Sequence, residues 1–163
     1  MKKFIILTIA CIISVAVFAQ NKVTLKAGTI IPLQSVIKVK AADVNEGELI
    51  DFRVSSDIKV GEVVVIPMGT IVKGTVYEAK KSSPLGFKGS LVINFNYINL
   101  PSGDYIYLSN TAARVYGKNR TPLAVALGIF TVFGFLIPGT KAVMPEGYEV
   151  RAYIAANTEI AVN

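Results

Sequence analysis

The side chains that most often act as nucleophiles, proton carriers or metal ligands are scarce in this chain. It contains no histidine, and its single cysteine, Cys11, lies in an N-terminal apolar run. Zinc and haem sites rely on His and Cys ligands, and serine or thiol catalysis needs a nucleophile beside a base. Composition therefore argues against these classes of function, and we expect no catalytic residues, no cofactor and no metal site.

The remaining candidates for chemistry are carboxylates and one serine–lysine neighbourhood. Paired carboxylates can hydrolyse a glycosidic bond, and alternating carboxylates can bind calcium. The acids here lie mostly at turns or beside lysines, and no loop alternates them as a calcium-binding loop does. Ser82 and Ser83 follow Lys80 and Lys81 in KKSSPLGFKGS, a stretch whose Gly, Pro and Ser are typical of a connecting loop. We interpret these residues as surface charge and loop, and we expect a protein that is not an enzyme.

The N-terminus has the pattern of a secretory signal peptide. Lys2 and Lys3 precede an apolar run over residues 4–18, and the small residue Ala19 follows. A run of about 15 residues is shorter than the roughly 20 that a transmembrane helix needs. This favours cleavage after Ala19 over an uncleaved anchor, and the apolar residues beyond Cys11 argue against a lipid-modified cysteine. We predict a signal peptide at 1–19 and an exported protein, periplasmic or associated with the outer membrane of a Gram-negative bacterium.

The remainder, residues 20–163, has the length of one domain with its own core. It contains no cysteine, so the fold has to be stable without disulfides in an oxidising compartment. Without Lys2 and Lys3, 15 Lys and Arg face 11 Asp and Glu, a net charge of +4. Such a mild excess, spread along the chain, suits a nearby anionic surface and does not predict nucleic-acid binding.

One turn signature recurs along this domain. In VVVIPMGTIVKGTV, residues 63–76, proline suits the second position of a turn, and glycine suits the left-handed conformation that follows it. We predict a hairpin that folds residues 62–66 back onto residues 70–79. Related units, each followed by an extended run, predict an antiparallel β meander. The predicted turn-forming residues are Gly28, Pro67, Gly69, Pro101, Gly103, Pro145 and Gly147.

Alternation of apolar and polar residues predicts half-buried strands. Ile50, Phe52 and Val54 share one face, and residues 91, 93, 95 and 97 share another. Residues 63–66 are uniformly apolar, which suits a strand covered on both faces. We predict an all-β fold, a small antiparallel barrel or sandwich of about 8–10 short strands.

Residues 122–138 break this strand pattern. Residues 123–137 are almost wholly apolar between Pro122 and Pro138, with Arg114, Lys118 and Arg120 before them and Lys141 after. As a helix they would extend about 22 Å at ~1.5 Å per residue, short of a ~30 Å hydrocarbon core. We predict an apolar helical insert that contacts a membrane or mediates self-association; a helix that packs on the barrel and a buried hairpin are the alternatives. The predicted contact residues are Leu123, Val125, Leu127, Ile129, Phe130, Val132, Phe133, Phe135, Leu136 and Ile137.

Aromatic residues offer a second possible surface. Phe95 with Tyr97, and Tyr105 with Tyr107, suit either the stacking of bases or sugar rings on a sheet or the packing of a core. Because Leu91 and Ile93 fall on the same predicted face, we favour core packing.

The middle of the chain resembles the C-terminal β-barrel domain of the outer-membrane channel subunit of type IV secretion and conjugation systems. The similarity lies in LKAGTIIPLQSVIKV, GELIDFRVSSDIKV, VVVIPMGTIVKGTVYEAK and LVINFNYINLPSGDYIYLSN, roughly residues 22–110. In that family an insert after the barrel strands forms part of the pore, which is similar in position to residues 123–137. We expect this chain to differ from that family in having a cleavable signal in place of the cytoplasmic tail, inner-membrane helix and Pro-rich linker. A weaker likeness is to exported β-clip domains (SAF-like) of pilus and flagellar assembly proteins.

Together these features predict a non-enzymatic exported envelope protein with a structural, scaffolding or assembly role. Its expected partners are other envelope proteins, a second copy of itself or a membrane, and not nucleic acid. The alternative is a soluble periplasmic barrel that binds a small ligand or glycan through its tyrosines.

Overall fold

The structure is a computed structural model that describes residues 21–100, 103–120, 122–123 and 138–162. The predicted signal peptide lies outside these residues. The described part of the chain contains twelve strands, every pair of which is antiparallel. They are β1 (Asn21–Leu25), β2 (Ile30–Ser35), β3 (Val39–Lys40), β4 (Leu49–Val54), β5 (Ile58–Val60), β6 (Val63–Ile66), β7 (Ile71–Lys80), β8 (Ser90–Asn99), β9 (Tyr105–Tyr116), β10 (Val143–Met144), β11 (Glu149–Tyr153) and β12 (Thr158–Val162).

Six of these strands form a nearly closed barrel in the order β11-β2-β4-β7-β8-β9. The two outer strands of that order meet at a bridge between Leu108 and Ile154. Beside it, the amide of Ala155 donates to the carbonyl oxygen of Tyr107 (2.9 Å). The all-β, antiparallel, barrel-like fold predicted from alternation is therefore confirmed, with more strands than expected.

Alternation places the core where the sequence predicts it. In β4, Ile50, Phe52 and Val54 are buried while the residues between them are exposed. Phe52 meets Phe95 of β8 edge to face, with ring centroids 4.7 Å apart. Gly74 of β7 faces this pair, and a Cβ there would lie 2.9 Å from Cε1 of Phe95. The absence of a side chain at Gly74 is thus what lets two phenylalanines fill the centre of the barrel.

Three two-stranded ribbons lie at the ends of the barrel. The β1–β12 and β5–β6 ribbons lie at the end where β7 begins, and the β3–β10 ribbon lies at the end where β7 finishes and β8 begins. Buried residues of the ribbons join the single core, among them Leu25, Ile66, Met144 and Ile160. Both mouths of the barrel are consequently filled by side chains of the ribbons.

The predicted hairpin at Pro67 and Gly69 is wrong. β6 pairs with β5 and not with β7, because the turn passes the chain from a ribbon into the barrel. The amide of Gly69 donates to the carbonyl oxygen of Val54 (2.8 Å). In return, the amide of Val54 donates to the carbonyl oxygen of Thr70 (2.9 Å). We call this reciprocal arrangement a corner.

The same corner precedes four of the six barrel strands, β2, β4, β7 and β11. In each, a glycine with positive φ donates its amide to a neighbouring strand, and that strand's amide donates to the residue after the glycine. The predicted meander therefore holds only for β7, β8 and β9, and the turn at Leu100–Gly103 is a true hairpin between β8 and β9. The corner glycines and their partners are Gly28 with Ile154, Gly47 with Val76, Gly69 with Val54 and Gly147 with Ser35.

Two further expectations differ from the structure. Val63 and Val64 are exposed whereas Val65 and Ile66 are buried, so β6 is covered only in its second half. Tyr97 does not share the buried face of Phe95, because a register shift between them turns Tyr97 outward. Of the predicted helix at 123–137, only Leu123 lies among the described residues, where it and Pro122 are helical.

Candidate functional site at the neck of the apolar segment

The two ends of the apolar segment meet at one point on the barrel. We call residues 117–120 and 138–141 the neck. The amide of Lys118 donates to Oγ1 of Thr140, and the amide of Thr140 donates to the carbonyl oxygen of Lys118 (3.1 Å). The stretch before the apolar segment and the stretch after it are therefore held together by hydrogen bonds between Lys118 and Thr140.

The loop between β7 and β8 supports both sides of this neck. The amide of Arg120 donates to the carbonyl oxygen of Gly86 (2.8 Å). The amide of Gly139 donates to the carbonyl oxygen of Ser83 (3.3 Å). Gly89 contacts both sides, since it accepts from Gly117 (2.9 Å) and donates to Thr140 (3.1 Å). The neck is thus a backbone network built from three distant parts of the chain.

Glycines make this close approach of backbones possible. A Cβ on Gly117 would collide with the carbonyl group of Thr140, and a Cβ on Gly139 would collide with the carbonyl group of Phe87. A backbone atom cannot move aside as a flexible side chain can, so larger residues are not tolerated here without rearrangement.

Nine of the ten predicted contact residues, from Val125 onward, lie outside the described residues. Leu123 is described and is exposed, at 52% of its accessible surface. Two further large apolar side chains of the supporting loop, Leu85 and Phe87, are also exposed. The described surface beside the root of the segment is therefore partly apolar.

Cations surround the neck. Six exposed Lys and Arg side chains come from the end of β7, the supporting loop and the two sides of the neck. Nζ of Lys88 lies 4.7 Å from the ring centroid of Tyr116, and Nζ of Lys80 lies 3.4 Å from Oε1 of Glu78. Among the described acids, none forms an ion pair with the other four. These six cations, which we call the collar, are Lys80, Lys81, Lys88, Lys118, Arg120 and Lys141.

Three collar lysines share one small pocket. It has a volume of about 180 Å³, and three alanines and Ser82 complete its lining. Ala41 and Ala142 are joined by a backbone hydrogen bond (3.0 Å), and the backbones of Ala142 and Lys80 both approach Gly89. We call this the lysine pocket; it is lined by Ala41, Ala42, Lys80, Lys81, Ser82, Lys141 and Ala142.

Glu78 lies two residues before Lys80 of this pocket, and its carboxylate already has two partners. The Ser90 hydroxyl donates to its carboxylate and holds the pKa of Glu78 below its usual value. Partial burial opposes this effect, and the charge of Lys80 adds to it. Glu78 also borders an open cleft of about 430 Å³, with Tyr77, Arg114 and Tyr116 among its walls.

The opposite end of the barrel carries a different surface. Tyr97, Tyr105, Tyr107 and Tyr153 are all exposed there, and we call them the tyrosine patch. The rings of Tyr97 and Tyr105 meet edge to face, with centroids 5.5 Å apart. A groove of about 270 Å³ runs beside them, lined also by Ile71, Lys73 and Asn99. The expectation that the tyrosines pack in the core is therefore wrong, whereas Phe95 is buried as expected.

Of the predicted turn-forming residues, Gly28, Gly69, Gly103 and Gly147 have positive φ, and Pro101 lies outside the described residues. Sequence reasoning identified Lys118, Arg120 and Lys141 as flanks of the apolar segment but missed Lys80, Lys81 and Lys88. The only signal for them was the pair of adjacent lysines before a Gly- and Pro-rich loop, and nothing local connects that loop with residues 117–141.

Comparison with known proteins leaves the family open. No protein-family model matches the chain, and no curated protein matches it in sequence. Among solved structures, it is similar to ComB10 of the Com type IV secretion system of Helicobacter pylori. The TM-score is 0.48 with 17% identity, over 86% of this chain and 92% of that one. The resemblance to a secretion-channel subunit thus stays a prediction.

The described residues hold neither a cluster of metal ligands nor a membrane-spanning helix. No group of three or more acidic, His or Cys side chains in them is arranged to hold a metal ion. Among those residues, no helix has the length and apolar character needed to cross a membrane.

Proposed function

We propose that this chain is a non-enzymatic, exported envelope protein whose barrel presents the apolar segment to a membrane. The observation that supports this most directly is the neck, in which both ends of the segment are fixed to each other and to one end of the barrel. The structure of the barrel thus supplies a rigid support for a stretch of sequence that has no polar face with which to meet water.

The charge around the neck favours a membrane over a second copy of the chain as the principal contact. Two collars brought together would place like charges close to one another, which is unfavourable. An anionic membrane surface attracts the same cations, at about 1 kcal/mol for each Lys or Arg near it. Scaffolding of other envelope proteins would then be the task of the rest of the barrel surface.

The neck also restricts how the segment can meet a bilayer. Because Lys118 and Thr140 are hydrogen-bonded, a segment that enters the bilayer leaves it on the same side. A single pass from one face to the other would separate these residues by about 30 Å. We therefore propose that the segment inserts into one leaflet, as interfacial anchors do.

Replacement of residues 121–137 by a short Gly/Ser linker tests this function. Because the neck already holds the ends together, the linker has to bridge only a short gap. We expect the wild-type protein to sediment with membranes and to need detergent for extraction, and the variant to be a soluble monomer with β-type circular dichroism and cooperative melting. A wild-type protein that forms discrete oligomers without lipid would favour self-association. An unfolded variant would show that the segment is part of the core.

The tyrosine patch supports a second candidate function, a soluble barrel that binds a glycan. Exposed aromatic rings beside Asn99 and Lys73 provide both a stacking surface and hydrogen-bond donors for a sugar. Calorimetric titration with cell-wall glycan fragments tests this candidate. Binding that Tyr105→Ala abolishes, in a protein that does not sediment with membranes, would favour it over membrane contact.

A further inference from the structure

We propose that the lysine pocket binds the phosphate group of an anionic lipid at the membrane surface. This inference rests on the proposed function, because it names the class of lipid that the neck would meet. It is carried by described residues alone: three lysines, three alanines and a serine around a volume of about 180 Å³.

The composition of the pocket favours a phosphate over other ligands. Ammonium groups and a hydroxyl can donate hydrogen bonds to several oxygens of one anion, and Lys is a common phosphate ligand as a point charge. The volume lies below the ~300 Å³ at which pockets for drug-sized molecules begin. A headgroup phosphate fits such a space, whereas an oligosaccharide does not.

The charges in the pocket are only partly balanced by the protein. Lys80 is paired with Glu78, and Asp43, which follows Ala42 in the chain, is paired with Lys40 at 3.3 Å. Neither Lys81 nor Lys141 forms an ion pair with a described acid. Because like charges repel one another, a bound anion between these lysines would relieve that repulsion.

The position of the pocket selects a lipid as the source of the phosphate. Lys141 belongs to the neck, so the pocket lies directly beside the point where the apolar segment leaves and rejoins the barrel. An apolar segment inserted in one leaflet would bring this pocket to the depth of the headgroups. A free phosphate would need no such neighbour.

The test compares two double variants that remove the same charge. Lys81→Gln/Lys141→Gln alters the pocket, and Lys26→Gln/Lys59→Gln alters two exposed lysines at the far end, one just after β1 and one in β5. Binding of the full mature chain is measured by flotation with phosphatidylcholine vesicles that contain or lack phosphatidylglycerol. We expect the pocket variant to lose on the order of 10-fold in partition to the anionic vesicles, and the control variant to lose little.

A second measurement separates a lipid headgroup from free phosphate. Amide NMR shifts of Lys81, Ser82 and Ala142 are followed in neutral detergent micelles while inorganic phosphate is added, with chloride at matched ionic strength as control. We expect phosphate to shift these amides and chloride to leave them unchanged. Equal shifts with both salts would overturn the phosphate site, and phosphate binding with no effect of the pocket variant on flotation would overturn the lipid source.

The remaining outcomes separate this inference from the proposed function. Equal losses in the two double variants would show a general charge effect and no pocket. Equal binding to neutral and anionic vesicles would overturn the inference and leave membrane contact intact. A wild-type protein that binds neither kind of vesicle, and that is extracted without detergent, would overturn the proposed function itself.

Discussion

The neck and the tyrosine patch lie at opposite ends of the same strands and are built in opposite ways. β8 runs between them over ten residues, about 30 Å at ~3.3 Å per residue. The neck is held by backbone hydrogen bonds between glycine-rich stretches, whereas the patch consists of aromatic side chains that project from a regular sheet. One barrel thus presents a hydrogen-bonded backbone network at one end and exposed aromatic rings at the other.

This contrast also appears in the electrostatics. At the patch end, Lys73 is paired with Asp51 at 3.0 Å, and Lys22 is paired with Glu159 at 3.5 Å. At the neck, most of the collar has no ion-pair partner among the described acids. Exposed ion pairs contribute little to the stability of a fold. We therefore explain the collar by contact with an external anionic surface and not by stabilisation of the barrel.

The largest expected effect is steric and lies at the neck. Gly139→Ala would place a Cβ against the backbone of Phe87 and Gly86. We expect the free energy of unfolding to fall by about 3 kcal/mol, at the upper end of what overpacking costs. The matched control is Gly69→Ala at the far end, where the space is open but φ is +87°. There we expect a loss of about 1–2 kcal/mol, the cost of a left-handed residue with a side chain.

Chemical denaturation of both variants measures this difference. Gly69→Asn should recover part of the loss, because asparagine tolerates the left-handed region better than alanine. Equal losses for Gly139→Ala and Gly69→Ala would contradict the idea that close backbone contact defines the neck.

An intermediate effect is expected from the aromatic pair of the patch. Tyr97→Ala and Tyr105→Ala each remove an exposed ring, so each single substitution should lower the free energy of unfolding only slightly. A double-mutant cycle should give a coupling energy of about 0.5–1.5 kcal/mol, as for other edge-to-face pairs. A coupling energy near zero in thermal or urea unfolding would mean that the two rings do not stabilise each other in solution.

The smallest expected effect concerns the Glu78–Ser90 hydrogen bond near the neck. Ser90→Ala removes the main cause of the lowered pKa, so the pKa of Glu78 should rise toward its usual value in an NMR titration. A lowered folded-state pKa gives stability that is present above the unfolded-state value and is lost as pH falls through the folded-state value. The variant should therefore show a weaker dependence of stability on pH below about 4.5.

Lys80→Gln serves as the comparison for that titration. The charge of Lys80 and its hydrogen bond each lower the pKa of Glu78 less than the Ser90 hydrogen bond does, so we expect a smaller rise from Lys80→Gln. A larger rise with Lys80→Gln than with Ser90→Ala would reverse the assigned order of causes.

Much of the barrel could be predicted from local patterns. Burial of Ile50, Phe52 and Val54 followed from alternation, because successive side chains of a strand point to opposite faces. Strand pairing could not be predicted in the same way, and the turn at Gly69 shows why. Its residues specify a change of direction, but whether β7 then pairs with β6 or with β4 depends on which edge is free in the folded sheet.

The candidate site shows the same limit. The apolar segment and its flanking cations were visible as a continuous stretch, whereas the lysine pocket joins Lys80 and Lys81 to Lys141 across the fold. Tyr97 also escaped prediction, because a register shift in β8 and β9 reverses the face that alternation assigns to it.

The sequence by itself determined the elements: which stretches are extended, which glycines turn, where apolar residues accumulate and that the chemistry of His and Cys is absent. These are local properties, fixed by side-chain size, polarity and backbone freedom. Only the tertiary structure decided the partners: which strand each corner glycine bonds, which backbones close the neck and which lysines share a pocket. Partners are decided by hydrogen bonds and packing between residues far apart in the chain, and no local pattern contains that information.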